Sequence, residues 1–189
     1  MGAGRAPVRV VDEEYGVVEV AALGGRHRIM LGREQWEWAR RVLSPRQLED
    51  LLAEIGEDAA RFEEVARVAE ELAEHVFRGR VGTEFISSSY LIGDVQLRLL
   101  IEGLAGTVDL VLHIDVHPRR LRGGRDAVEY ISIIALDNRV GTREEGALRL
   151  LGLFFDELAG ILGEPGGRRD YGSSWTLYVN CRVFLGGKA

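Results

Sequence analysis

Along the chain the hydrophobic positions first alternate with polar ones, then recur at helical spacing, then alternate again, and these changes of period divide it into three stretches. In the first thirty residues, "VVEVAAL" and "RHRIML" flank Gly24 and Gly25, the turn signal of a β-hairpin, and "VRVV" can add a third short strand. Helical spacing begins with Trp36, Ala39 and Leu43. Ser44, Pro45 and Gln47 then predict a helix start. A serine hydroxyl can accept from a free backbone N–H, proline at the first position gives up no needed donor, and glutamine at the third can bond back to the cap. Leu48, Leu51, Leu52 and Ile55 form the apolar stripe of that helix, and Gly56 is expected to end it. A longer helix over about 58–77 places Val65, Val68, Ala69, Leu72 and Val76 on one face, with Gly79 and Gly82 closing the helical block.

After Gly82 the period falls to two, predicting strands at about 83–92, 94–102, 107–117 and 127–137 joined by glycine-bearing turns. Connections this short give an antiparallel meander. Thr142 and Glu145 have capping-box spacing ahead of a stripe of Leu148, Leu151, Phe155, Leu158 and Leu162, with Gly163 as its stop. In the last strand, "WTLYVNCRVF", alternation sets Trp175, Leu177, Val179, Cys181 and Val183 on one side and Thr176, Tyr178, Asn180, Arg182 and Phe184 on the other. The expected fold is α+β: a mainly antiparallel sheet of about five strands, helices packed on one face, and a short N-terminal β-hairpin. A chain of 189 residues can bury its own core, so one domain is expected over 1–189, made of a β element (1–33), a helical block (34–79) and the sheet with one long helix (80–189).

Composition narrows the class. Arg, Glu or Gly interrupts every apolar run, so no bilayer span is expected, and "MGAGRAPVRV" lacks the apolar stretch of a secretory signal, which predicts a cytoplasmic protein. Cys181, the single cysteine, is expected to pack in the core. Of the 24 cationic residues, only Lys188 is not arginine; richness in Arg, Glu, Val and Ala suits a thermophile. Charge is unevenly placed. Residues 34–79 hold twelve acidic and six basic residues, which accounts for the whole net charge of −6. Elsewhere the cations gather in loops: Arg26 and Arg28, then Arg119, Arg120, Arg122 and Arg125, then Arg168 and Arg169.

Two of these loops carry the functional expectation. "HPRRLRGGRD" and "EPGGRRDYGSSW" combine arginines, adjacent glycines and, in the second, Tyr171 and Trp175. Cations that track phosphates beside rings that stack on unpaired bases are the ingredients of single-strand binding. Tyr178, Asn180, Arg182 and Phe184 would continue such a platform, with Trp175 itself assigned to the core. Trp36 and Trp38 are two apart on a helix and cannot share a face, so one is expected exposed beside Arg40 and Arg41; Trp36 is taken as the candidate. The alternative chemistry lies in "DLVLHIDVH", where alternation leaves Asp109, Val111, His113, Asp115 and His117 opposite the core-facing Val108, Leu110, Leu112, Ile114 and Val116. With Glu129 opposite or diagonal to Asp115, this face could hold a divalent cation for a hydrolase or nuclease, although the two histidines would stand roughly 13 Å apart. Phosphate-loop, dinucleotide and CxxC motifs are absent, so no cofactor and no enzymatic activity are expected.

The order of an N-terminal β element with "GGRHRIML", a helical block with "WEWARR", and an antiparallel sheet with arginine-rich turns resembles the archaeal ThermoDBP-type (ThermoDBP-related) single-stranded nucleic-acid-binding proteins. The resemblance implies a cleft that shelters bases among apolar and aromatic side chains, with basic residues nearby, and an oligomeric assembly. No zipper helix of the kind some members carry follows the last strand, so an oligomer is expected to use another surface. The expected partners are therefore single-stranded DNA or RNA, read with little sequence preference, and a second copy of the chain in a homodimer or higher oligomer joined by a sheet face or edge carrying residues such as Val111, Ile131, Ile133 and Phe184. A protein-interaction subunit is the remaining class.

Overall fold

The computed structural model describes residues 6–89, 94–104, 106–123, 125–138, 145–163, 167–168 and 174–187. Three strands open the chain: β1 (Val8–Asp12), β2 (Val17–Ala22) and β3 (Gly25–Met30) form an antiparallel sheet in that order, β2 and β3 closed by the Gly24 turn. Helices α1 (Arg33–Val42) and α2 (Pro45–Phe77) follow. Strands β4 (Arg80–Ser89), β5 (Asp94–Gly103), β6 (Gly106–Arg120) and β7 (Ala127–Asn138) make the meander, and after α3 (Glu145–Leu162) come the two-residue β8 (Gly167–Arg168) and the long β9 (Ser174–Leu185). Their order in the second sheet is β4-β5-β6-β7-β9-β8. The architecture is α+β, as expected, with six strands in the larger sheet once β8 is counted.

The start of α2 is built as its sequence dictates: Ser44 Oγ accepts from the Gln47 N–H and the Gln47 side chain accepts from the Ser44 N–H, with proline at the first helical position. The predicted break at Gly56 does not occur; α2 runs unbroken for 33 residues. Gly56 is there for a tertiary reason. The Ala6 backbone hydrogen-bonds its carbonyl, and a Cβ at Gly56 would stand 2.5 Å from the Ala6 oxygen, so only glycine admits the N-terminal segment. The helix ends at Arg78 in the left-handed region, and Gly79 then passes so close to β5 that a Cβ would meet the Glu102 carbonyl.

The inner face of α2, with Leu51, Ile55, Phe62, Val65, Ala69 and Phe77 buried, lies over Leu99, Ile101, Val108, Leu110, Leu112, Ile114 and Tyr130 of the sheet. Each of the Leu, Ile, Val and Phe side chains contributes about 1.5–3 kcal/mol of transfer free energy when fully buried. α3 joins this layer through Phe154, which meets Phe77, and Phe155, which stacks on Trp175 of β9 at 3.6 Å between centroids. Its buried set is Ala147, Leu151, Phe154, Phe155 and Leu158, whereas Leu148, placed on the stripe by its spacing, is exposed. The Thr142 half of the expected capping box lies outside the described residues.

The last strand departs most from expectation. Ile134 pairs with Tyr178 but Ala135 pairs with Thr176, so Leu177 is an extra residue in a β-bulge. The bulge resets the alternation. Tyr178, Asn180, Arg182 and Phe184 turn toward the helices, with Phe184 buried, while Val179, Cys181 and Val183 face outward on the uncovered side of the sheet. Cys181 is exposed rather than packed in the core. Val111 and Phe184, expected on an open face, are buried, whereas Ile131 and Ile133 are half-buried there. Among the described residues, no helix is long and apolar enough to cross a membrane.

Candidate nucleic-acid interface

Strands β6 and β7 stay in register to the pair Arg120 and Val128, and the Leu121 N–H donates to the Ala127 carbonyl at 3.2 Å, so the hairpin tip is a short turn rather than a long loop. Gly123, at φ 125°, lets it reverse. The tip's arginines part according to the strand alternation. Arg119 faces the open side and donates from Nε to Glu129 at 2.7 Å, directly across the ladder. Arg120 faces the opposite side and lies over the indole of Trp38, 4.2 Å from its centroid. Arg122 and Arg125 are exposed at the turn.

Trp38 reaches the tip from α1, where its Nε1–H meets the Ala127 carbonyl at 3.4 Å and a second guanidinium, that of Arg41, lies over its ring at 4.4 Å. The indole is therefore partly exposed, stacked by two cations and held to the base of the arginine hairpin. A cleft of about 220 Å³ lined by Glu34, Gln35, Trp38 and Arg120 adjoins one of about 290 Å³ lined by Glu34, Glu37, Trp38 and Arg41. Among the described residues, Arg41, Arg120, Arg122 and Arg125 have no carboxylate partner, whereas Arg33 is tied to Glu14 and Glu37, and Arg40 to Glu13.

Trp36, the predicted exposed indole, is the buried one: it is 3% exposed and donates to the Glu13 carbonyl at 3.1 Å. Its spacing with Ala39 and Leu43 is that of the buried stripe, so the signal that found the helix also sorts its two tryptophans. Compared with protein-family models, with curated proteins and with solved structures, the chain matches none.

The expected platform on β9 is not exposed as a face for bases. Arg182 is ion-paired with Glu54 of α2 and lies over the Phe184 ring, and Tyr178 sits under Arg61. Asn180 donates to Glu54 at 3.0 Å and to Asp58 at 3.3 Å. Asp58, 1% exposed, also accepts from the Tyr130 hydroxyl at 2.5 Å. Burial pushes the Asp58 carboxyl above its ordinary range, and the hydrogen bonds from Tyr130 and Asn180 pull it partly back. Burial, then the neighbouring Asp58, holds the Tyr130 hydroxyl well above its usual range. These residues join α2 to β7 and β9. Of the second loop, Arg168 of β8 is the register partner of Trp175 in β9, while Arg169 and Tyr171 lie outside the described residues.

The open face also separates the proposed metal ladder. Glu129 pairs with Arg119, and Asp115 sits opposite Ile133, so the expected approach of Glu129 to Asp115 does not occur. His113 Nδ1 lies 3.4 Å from Asp137, and Arg98 grips Asp109 through two bonds of 2.9 and 2.7 Å. Among the described residues, no group of three His, Cys, Asp or Glu side chains is placed to hold a metal ion. A further basic cluster sits on the N-terminal sheet, where Arg9, Arg26 and Arg28 converge on the single buried carboxylate of Glu19 at 2.7, 3.4 and 3.8 Å.

Proposed function

We propose that the protein binds single-stranded DNA or RNA at the β6–β7 hairpin tip, with Trp38 as the stacking platform and Arg41, Arg120, Arg122 and Arg125 as the phosphate contacts. The observation that carries this reading is the partly exposed indole under two guanidinium groups at the root of an exposed arginine turn. A planar guanidinium occupies an aromatic face much as a base does, so an incoming base can replace it and leave the arginine for the adjacent phosphate. Glu34 and Gln35 line the same cleft and can hydrogen-bond a base edge. The reading agrees with what the resemblance to ThermoDBP-type proteins implies, basic residues beside an aromatic shelter. It differs from the sequence expectation in taking Trp38 for Trp36, in adding Arg41, and in leaving out Arg119, the second loop and the β9 residues Tyr178 and Arg182.

Fluorescence anisotropy with a labelled oligonucleotide tests it, using Trp38→Ala and the triple variant Arg120→Ala, Arg122→Ala, Arg125→Ala. Stacking is worth about 1–3 kcal/mol per base, so Trp38→Ala is expected to weaken binding about 5- to 150-fold. A parent protein that fails to bind any single strand at micromolar concentration overturns the proposal, as does binding that neither variant disturbs.

A further inference from the structure

The larger sheet ends in two edges, β4 on one side and, beyond the two-residue β8, β9 on the other. β8 covers β9 only at Trp175 and Thr176, so from Val179 to Val183 no described strand lies beside it. Ladder alternation shows which backbone groups face out. The Ala127 carbonyl bonds toward β6, and the Asp126 carbonyl takes the Gly186 N–H at 2.7 Å, which turns the backbone groups of Val128, Tyr130 and Ser132 toward their β9 partners Phe184, Arg182 and Asn180. Val179, Cys181 and Val183 therefore direct N–H and C=O outward. The carbonyl of Leu185, on that same side, is taken by Gln47 Nε2 at 2.7 Å.

The same three residues present their side chains on the uncovered sheet face, with Val179 54% and Val183 45% exposed. Edge strands of monomeric proteins are normally guarded by lysine, proline, a bulge or a charge. Between Val179 and Leu185 the one charge is Arg182, and it is turned to Glu54.

We propose that this edge pairs antiparallel with the same edge of a second copy, about a two-fold axis through Cys181, joining two sheets into one. The argument for a second copy is self-complementarity. Centring on Cys181 is the register that uses all three outward-facing residues, matching Val179 of one copy to Val183 of the other, so that every outward N–H and C=O finds a partner. On the inner face, Arg182 comes opposite Asn180 of the other copy, whose amide is bonded to Glu54, so a half-exposed cation meets a second carboxylate. The valines meet valines on the outer face.

Light scattering after size exclusion is expected to give about twice the 21.0 kDa chain mass for the reduced protein at tens of micromolar. Val183→Lys, and independently Val179→Lys, should raise the dissociation constant at least about ten-fold while circular dichroism stays that of the parent, since both side chains are exposed. Directly opposed residues of a hydrogen-bonded antiparallel pair have Cα atoms about 5.5 Å apart, within disulfide range. Diamide, which takes up two electrons and two protons as two thiols become one disulfide, should then cross-link the parent, but neither Cys181→Ser nor the lysine variants. A monomeric mass at every concentration overturns the proposal, and so does a dimer that resists cross-linking and both lysine substitutions. Capture of a different chain along β9 by a monomeric protein overturns the second copy as the occupant.

Discussion

Replacing Tyr130 by phenylalanine removes one hydroxyl from the centre of the molecule and leaves its ring volume in place. That hydroxyl is fully buried and donates at 2.5 Å to Asp58, itself 1% exposed, so no water replaces the lost donor. A hydrogen bond to a charged group contributes about 1.5–3 kcal/mol net, and a buried acceptor stripped of its partner costs about as much. Asp58 keeps Asn180 at 3.3 Å, which holds the expected loss near the middle of that range, about 2 kcal/mol. For a chain of this length that is about 4–8 °C in Tm. The loss should depend on pH with a definite sign. Tyr130 lowers the pKa of Asp58, so its removal raises that pKa further and penalises the ionised form most. Urea unfolding of parent and Tyr130→Phe at pH 8 and pH 4 should therefore show the larger gap at pH 8. A gap within about 0.5 kcal/mol of zero at pH 8, or one of equal size at both pH values, refutes the reasoning, the first being the range of an ordinary surface change.

Asp58→Asn tests the same group from the other side. The folded carboxyl titrates above the unfolded value of about 3.9, so within that window the folded state binds the extra proton and the parent loses stability as pH rises. The variant lacks this loss, so its stability relative to the parent should climb from about pH 4 upward and level off once the parent is ionised, as thermal melts across pH would record. Gly56→Ala should destabilise by about 1–3 kcal/mol although alanine favours helix by about 1 kcal/mol, because its Cβ would stand 2.5 Å from the Ala6 oxygen. A chemical denaturation curve unchanged or shifted to higher denaturant would contradict the close approach of that segment.

What was legible in the sequence had local causes. The Gly24–Gly25 hairpin, the Ser44–Gln47 capping box and the inward set Val108, Leu110, Leu112, Ile114 and Val116 each follow from turn chemistry or strict alternation, and each appears in the structure. Where expectation and structure part, the cause is a contact between distant segments or a local break in the alternation. Gly56 reads as a helix stop until Ala6 is found against it. The Leu177 bulge inverts everything after it on β9, so the residues expected to form a binding platform became the links to Glu54 and Asp58. At the hairpin tip β6 runs on past its expected end at 117, through Pro118 to Arg120, which sets Glu129 against Arg119 instead of Asp115. At the candidate site the sequence points to Arg120, Arg122 and Arg125 but not to Arg41, and two of its other expected cations are tied up in the structure, Arg119 by Glu129 and Arg182 by Glu54. Trp36 carries the spacing of a buried stripe, which leaves Trp38 for the hairpin.

The most direct test of the proposed binding site is the salt dependence of single-strand binding. Four arginines engaging four phosphates give a slope of log K against log[salt] of about −0.7 per phosphate, or about −2.8, so affinity should fall about 50-fold between 50 and 200 mM salt. In the variant Arg120→Ala, Arg122→Ala, Arg125→Ala, only Arg41 of that set remains, and the slope should shrink to about −0.7. That change of slope is the result predicted for the hairpin tip as the site. A parent that does not bind, or a variant that keeps the parent's slope, contradicts it.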